Sequence, residues 1–299
     1  MKQLRNTAAG FLILIIALAF FGDIFNRQKF TEAAKKMEIR ARNAFSGMNL
    51  TAKASYVYDI SRKKILYEEN ADLTLPIASL TKLMTALTAL SEAPRKTIVT
   101  ISKKSLGKEG DTGLLSDERW TLDSLIKFTL LTSSNDGAAA IAGALGASGE
   151  GEFVKKMNTR AKESGFEDVY FANETGLDEN SDSAGAYASA KWVARIMEEF
   201  IVKYPDILEA TAYSLVIFHS EDEKAHNAEN TNKTVEKIPG IIASKTGFTD
   251  IAGGSLAIAF DAGLGQPIII VVLGGTLNGR FSDVLELSER TREAIHLGL

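Results

Sequence analysis

The chain has 299 residues, 45% of them hydrophobic and 24% charged, enough for one large domain or two small ones. Its formal net charge of −4 and sequence pI of about 5.6 leave no basic footprint, so no nucleic acid is expected as a partner. It has no cysteine, which excludes disulfides, thiolate metal sites and a cysteine nucleophile. Lys2 and Arg5 precede an apolar run from Ala8 to Gly22, the pattern of an export signal. Carried on to Phe25, the run would be about 27 Å long as a helix, slightly short of a roughly 30 Å hydrocarbon core. Ala17-Leu18-Ala19 has the form of a cleavage site, so residues 1–26 read as a signal-anchor or a signal peptide. Residues 27–50 are polar, basic and Ala-rich and read as a juxtamembrane linker. Their basic residues outweigh Lys2 and Arg5, so charge asymmetry does not set an orientation.

From residue 51 a folded domain is expected to run to residue 299. Ser55–Ile60 and Ile65–Tyr67 read as two strands joined by the polar turn Ser61–Lys64. Residues 79–90 have helical composition and no breaker, and 121–146 hold one or two apolar helices. In 151–164, Phe153, Val154, Met157 and Ala161 share a helical face. Residues 188–203 read as another helix. Three strand-like runs follow, Ile241–Ser244, Ser255–Phe260 and Pro267–Leu273, and then an amphipathic helix from Ser282 to Leu297. Two strands, a helical block, three strands and a helix suggest a mixed α/β domain. Its sheet joins chain-distant strands and a helical lobe is inserted between them.

Three segments carry chemistry. Pro76-Ile-Ala-Ser79-Leu-Thr-Lys82 sets a serine and a lysine one turn apart at a helix start. A serine hydroxyl needs a base, and a lysine amine serves as one if its surroundings hold it neutral. Ser133-Ser134-Asn135 lies between apolar helices, where Ser133 can relay a proton and Asn135 can bond a substrate amide. Lys245-Thr246-Gly247-Phe248 ends an apolar strand. Its Lys and Thr suit a carboxylate, and Gly247 permits close backbone approach. The Phe248 and Ser79 N–H groups can form an oxyanion hole, and Lys245 is expected to lower the proton affinity of Lys82. Taken alone, each segment reads better as a cap with a solvated lysine, a polar loop or a strand end; their order together changes that.

In the order Ser-x-x-Lys, Ser-x-Asn, Lys-Thr-Gly, these are the motif set of penicillin-binding proteins and serine β-lactamases. The chain closely resembles one family, the serine D-alanyl-D-alanine carboxypeptidases of low molecular weight (peptidase family S11). The likeness extends to Tyr67–Ala71, to Phe153-Val154 with Met157-Asn158, to Phe171–Leu177, and to Thr231-Asn232, Pro239-Gly240 and Ser244–Gly253. It covers roughly Thr51 to Leu273. It implies a β-lactamase/transpeptidase-like α/β fold: an antiparallel sheet flanked by helices, with an inserted helical lobe. It makes Ser79 the acyl-ester nucleophile and Lys82 its base. Ser133 and Asn135 become the second wall of the cleft, and Lys245, assisted by Thr246, the carboxylate anchor. The implied substrates are peptidoglycan stem peptides, with β-lactams as covalent inhibitors, no cofactor, and an extracytoplasmic location at the membrane. His219, His226 and His296 are scattered, so no metal is expected.

Two departures stand out. Ser134 replaces the family's usual glycine and is expected to add a small side chain at the cleft. Many members also carry a β-rich domain and a C-terminal anchor, whereas this chain ends one helix after its last strands, which favours the N-terminal segment as the attachment. The implied alternatives are a DD-endopeptidase, a β-lactamase and a silent penicillin-binding sensor. Class A β-lactamases use a glutamate on a loop whose counterpart here, Phe171–Leu177, contains Glu174 but resembles the peptidase block.

Overall fold

The turn Ser61–Lys64 does close a hairpin, joining β1 (Ala54–Asp59) to β2 (Lys64–Glu69). Asp59 is buried and shapes the turn by accepting from the Arg62 N–H at 2.9 Å. The computed structural model describes residues 43–298 except 111, 166, 167 and 264, together with residues 31, 32, 36 and 39. The predicted apolar segment at 1–26 and most of the predicted linker lie outside these. Among the described residues, no helix is long and apolar enough to cross a membrane. Residues 47–291 form the compact unit that carries the site.

Next come β3 (Leu75–Pro76), a single 3-10 turn at Ala78–Leu80, and α1 (Thr81–Glu92). Every residue of α1 from Thr81 to Ala89 is buried, which explains why this helix shows no polar face. β4 (Ile98–Thr100) pairs with β5 (Arg119–Thr121). The apolar stretch 121–146 is two helices, α2 (Leu122–Thr132) and α3 (Asn135–Leu145). Each starts at a serine or threonine cap: Thr121 accepts from the Ser124 N–H, and Ser134 from the Gly137 N–H. α4 (Glu150–Glu163) buries Phe153, Met157 and Ala161 as its periodicity requires. α2, α3 and α4 pack around α1.

β6 (Tyr170–Phe171) and β7 (Ala186–Ala188) complete a small sheet of order β3-β7-β6. α5 (Ala190–Lys203), the short α6 (Pro205–Glu209) and a hairpin of β8 (Leu215–His219) and β9 (Ala225–Glu229) lead to the last strands. These are β10 (Ile241–Thr249), β11 (Gly253–Asp261) and β12 (Pro267–Gly275), followed by α7 (Gly279–His296).

The main sheet is antiparallel with order β10-β11-β12-β1-β2, so chain-distant strands are joined as expected. β1 lies directly against β12, with Ala54 opposite Leu273. On one face Ala257, Ala259, Ile269 and Val271 join the core, where α5 packs on β12 and β1. On the other, Leu256, Ile258, Phe260, Ile268 and Ile270 are buried as well. β11 and β12 are therefore apolar runs with no alternation. Asp283 of α7 accepts from the Thr51 N–H, the Thr51 hydroxyl at 2.8 Å and the Ala52 N–H at 2.9 Å, fixing the entry to β1.

Candidate active site

Ser79 stands on the 3-10 turn ahead of α1, and two glycines let the chain crowd it. Gly176 has φ +78°, and a Cβ there would sit 2.0 Å from the Ala78 carbonyl. A Cβ on Gly247 would lie 2.8 Å from the Ile77 carbonyl and 3.3 Å from the Ser79 nitrogen. The loop before β7 and the strand β10 thus close on the serine from two sides. Ala78 itself adopts φ +47°, an uncommon conformation for a residue with a side chain. Thr81 steadies it by donating its hydroxyl to the Ala78 carbonyl.

The Lys82 Nζ lies 2.9 Å from the Ser79 Oγ. It also donates to the Asn135 Oδ1 at 2.6 Å and to the Thr175 carbonyl at 2.8 Å. An ammonium fills these positions with three N–H donors. A neutral amine keeps two donors, for Asn135 and Thr175, and turns its lone pair to the Ser79 hydroxyl. Burial of Lys82 pushes it down to about 7, against an opposing pull from Glu174. The expectation that Lys245 causes this shift is corrected: desolvation does.

Ser133 ends α2 with φ +60° and ψ +31°, and this left-handed turn separates α2 from α3. Its hydroxyl accepts from the Lys245 Nζ at 2.7 Å, so its lysine partner here is Lys245 and not Lys82. Ser134 does not line the cleft as expected. It is fully buried, caps α3 and bonds the Thr112 hydroxyl at 2.6 Å. Asn135, in the first turn of α3, also donates from Nδ2 to the Glu109 carbonyl at 2.6 Å. Both ends of its amide are therefore engaged.

On β10, Lys245 is buried and also donates to the Thr246 carbonyl. Burial, and then the charges of Lys82 and Arg280, push it well below the ordinary lysine range. The Thr246 hydroxyl bonds that of Thr231 at 2.6 Å, and Arg280 of α7 donates to the Gly247 carbonyl at 2.6 Å. Burial lowers Arg280 to about 10. Phe248 is exposed at the mouth of a cleft of about 460 Å³, which Glu109, Leu177, Asp178 and Ile251 also bound. The three predicted segments therefore meet at one place. Thr175 and Thr231 lay inside stretches already singled out by resemblance. Glu109 and Arg280 sit in stretches without a motif and enter only through the fold.

Residues 39–276 match the D-alanyl-D-alanine carboxypeptidase family, peptidase family S11. The chain is 30% identical to D-alanyl-D-alanine carboxypeptidase DacF of Bacillus subtilis, over 96% of this chain and 70% of that protein. It is 27% identical to a D-alanyl-D-alanine endopeptidase of Escherichia coli, over 78% and 74%. Penicillin-binding protein D2 of Listeria monocytogenes in its cefotaxime-bound form has the same fold, with a TM-score of 0.70 and 30% identity over 82% of this chain and 98% of that one. With the family match spanning most of the chain and the Ser79–Lys82 pair assembled at its centre, this chain belongs to the S11 D-alanyl-D-alanine carboxypeptidases, a family of serine peptidases.

Proposed function

We propose that the chain is a serine DD-peptidase that removes the terminal D-Ala of peptidoglycan stem peptides through an acyl-enzyme on Ser79. The observation that carries this reading is the buried Lys82 amine 2.9 Å from the Ser79 hydroxyl. Lys82 takes the Ser79 proton, and Ser79 attacks the carbonyl of the penultimate D-Ala. The N–H groups of Ser79 and Phe248 hold the oxyanion, a role supported by the close approach of Gly247 to the Ser79 nitrogen. Lys245 and Thr246 bind the terminal carboxylate, and Asn135 the substrate backbone. Lys82, with Ser133, returns the proton to the leaving amine. D-Ala departs, and water hydrolyses the ester. A β-lactam copies the dipeptide and leaves Ser79 acylated. The sequence pattern at residues 1–26 supports an extracytoplasmic site of action and attachment to the membrane there.

Labelling with a fluorescent penicillin followed by mass mapping tests the assignment. The label should fall on the Ser79 peptide and vanish in Ser79→Ala; a label elsewhere sinks the proposal. Relatives named as endopeptidases keep cross-link cleavage as a second reading. Product analysis separates the two, because free D-Ala marks a carboxypeptidase and monomers released from cross-linked dimers mark an endopeptidase.

A further inference from the structure

Arg280, at the start of α7, belongs to none of the three catalytic segments and is only 8% exposed. Its helix begins on a fixed base. The Gly279 N–H donates to the Thr276 hydroxyl at 2.8 Å, and the Arg280 N–H to the Thr276 carbonyl at 3.2 Å. From there the side chain passes β11 at Gly254, where a Cβ would lie 3.3 Å from the Arg280 Cδ. Gly254 stands opposite Phe248 in the β10–β11 ladder. The guanidinium ends on β10, where Nη1 donates to the Gly247 carbonyl at 2.6 Å.

A buried guanidinium is costly unless a carboxylate accompanies it. Among the described residues no charge offsets the burial of Arg280, and its Nε has no hydrogen-bond partner. The ionisable group it meets on β10, Lys245, is another base. An ion pair therefore does not account for the placement, whereas the atom that Arg280 reaches does. The Gly247 carbonyl and the Phe248 N–H belong to one peptide unit, planar and trans. The two groups point in opposite directions, so whatever holds the carbonyl sets the direction of the N–H. We propose that Arg280 is a positioning residue for acyl transfer: its bond to the Gly247 carbonyl fixes and polarises the peptide whose N–H, that of Phe248, receives the oxyanion.

This inference rests on Ser79 as the nucleophile and on the Phe248 N–H as an oxyanion donor. β10 is the outer strand of its sheet, with β11 on one side only, and Gly247 lies close to the Ser79 nitrogen. A cation on the carbonyl draws electron density from the amide nitrogen and strengthens its N–H as a donor. The plane is also set before charge develops on the substrate, so no reorganisation is needed during the reaction.

Two measurements test this. Stopped-flow acylation by a penicillin separates the pre-covalent dissociation constant from the acylation rate constant. Infrared difference spectroscopy reads the ester carbonyl of the penicilloyl-Ser79, whose stretch falls as hydrogen bonds to it strengthen. Arg280→Met should slow the acylation step by about 10-fold or more, leave the dissociation constant largely unchanged and raise the ester carbonyl frequency. Loss of a buried unpaired cation favours folding of this variant, and Arg280→Gln is a second neutral variant with the same expected direction. Counting labelled molecules at completion confines the rates to folded protein. Arg280→Lys keeps the cation and should fall between wild type and Arg280→Met in both readouts. An unchanged acylation step, an unshifted ester carbonyl or a loss confined to pre-covalent binding overturns the proposal. Labelling that survives Ser79→Ala overturns instead the underlying reading of Ser79.

Discussion

Replacing Lys82 by Met should abolish acylation and yet stabilise the protein at neutral pH. The magnitude follows from the site. Burial lowers Lys82 from 10.5 to about 7. At about 1.4 kcal/mol per unit, that depression corresponds to about 5 kcal/mol of native-state cost. Methionine fills much the same volume without a charge. Its loss of the amine leaves the Asn135 Oδ1 and the Thr175 carbonyl without a donor, at roughly 1–2 kcal/mol each. Ser79 is partly open and can bond water. The net expectation is a gain of about 2 kcal/mol at and below pH 7.

The pH dependence distinguishes this account from simple repacking. Between about 7 and 10.5 the unfolded chain carries a proton on Lys82 that the native state lacks. Wild-type stability therefore gains with rising pH in that window, and Lys82→Met has no such gain. The advantage of the variant should shrink as pH rises and reverse before 10.5. Urea unfolding of both proteins at several pH values measures the difference directly. A variant less stable than wild type at pH 7, or a difference that does not change with pH, would refute the reasoning.

Asn135→Ala removes an acceptor of Lys82 and the bond to Glu109, and should slow penicillin acylation by about 10²-fold in labelling time courses. Gly176→Ala would set a Cβ 2.0 Å from the Ala78 carbonyl at φ +78°, and thermal melts should record a loss of about 3 kcal/mol or more. Glu118 is buried, which raises it. Hydrogen bonds, first from His226 at 2.7 Å and then from the Leu115 N–H at 3.1 Å, outweigh that and hold it below the ordinary carboxylate range. The stability it contributes is present above its unfolded titration and is lost as pH falls through its folded one. Glu118→Gln should therefore be less stable at neutral pH, with a flatter decline of melting temperature in acid.

What the sequence made legible is what repeats or clusters. The apolar runs Ser255–Phe260 and Pro267–Leu273 became β11 and β12, and the periodic face of Phe153, Met157 and Ala161 became the buried side of α4. Ser79, Lys82, Ser133, Asn135 and Lys245 were legible as three short segments in a telling order. The two-residue strands β3 and β6 were not, because so short a strand leaves no periodic trace. Arg280 was hidden because its partner, the Gly247 carbonyl, is 33 positions away and belongs to the backbone. Ser134 was misplaced although its signal was present: a serine three residues ahead of Gly137 at a helix start is a cap before it is anything else. The low proton affinity of Lys82 was foreseen from desolvation or a neighbouring cation; that desolvation dominates was not legible, since burial has no signature in a list of residues.

The order of strands in the main sheet also sets a timetable. β1 and the Ser79 turn leave the ribosome well before β12, the strand that pairs with β1 on its inner side. β10, which brings Lys245 and Gly247 to Ser79, precedes it only slightly. Until then a nascent chain holds Ser79 without Lys245, without the strand against its N–H, and without the Asp283 clasp on Thr51. The site is assembled only after β12 has been made, by closure of a sheet that joins chain-distant strands.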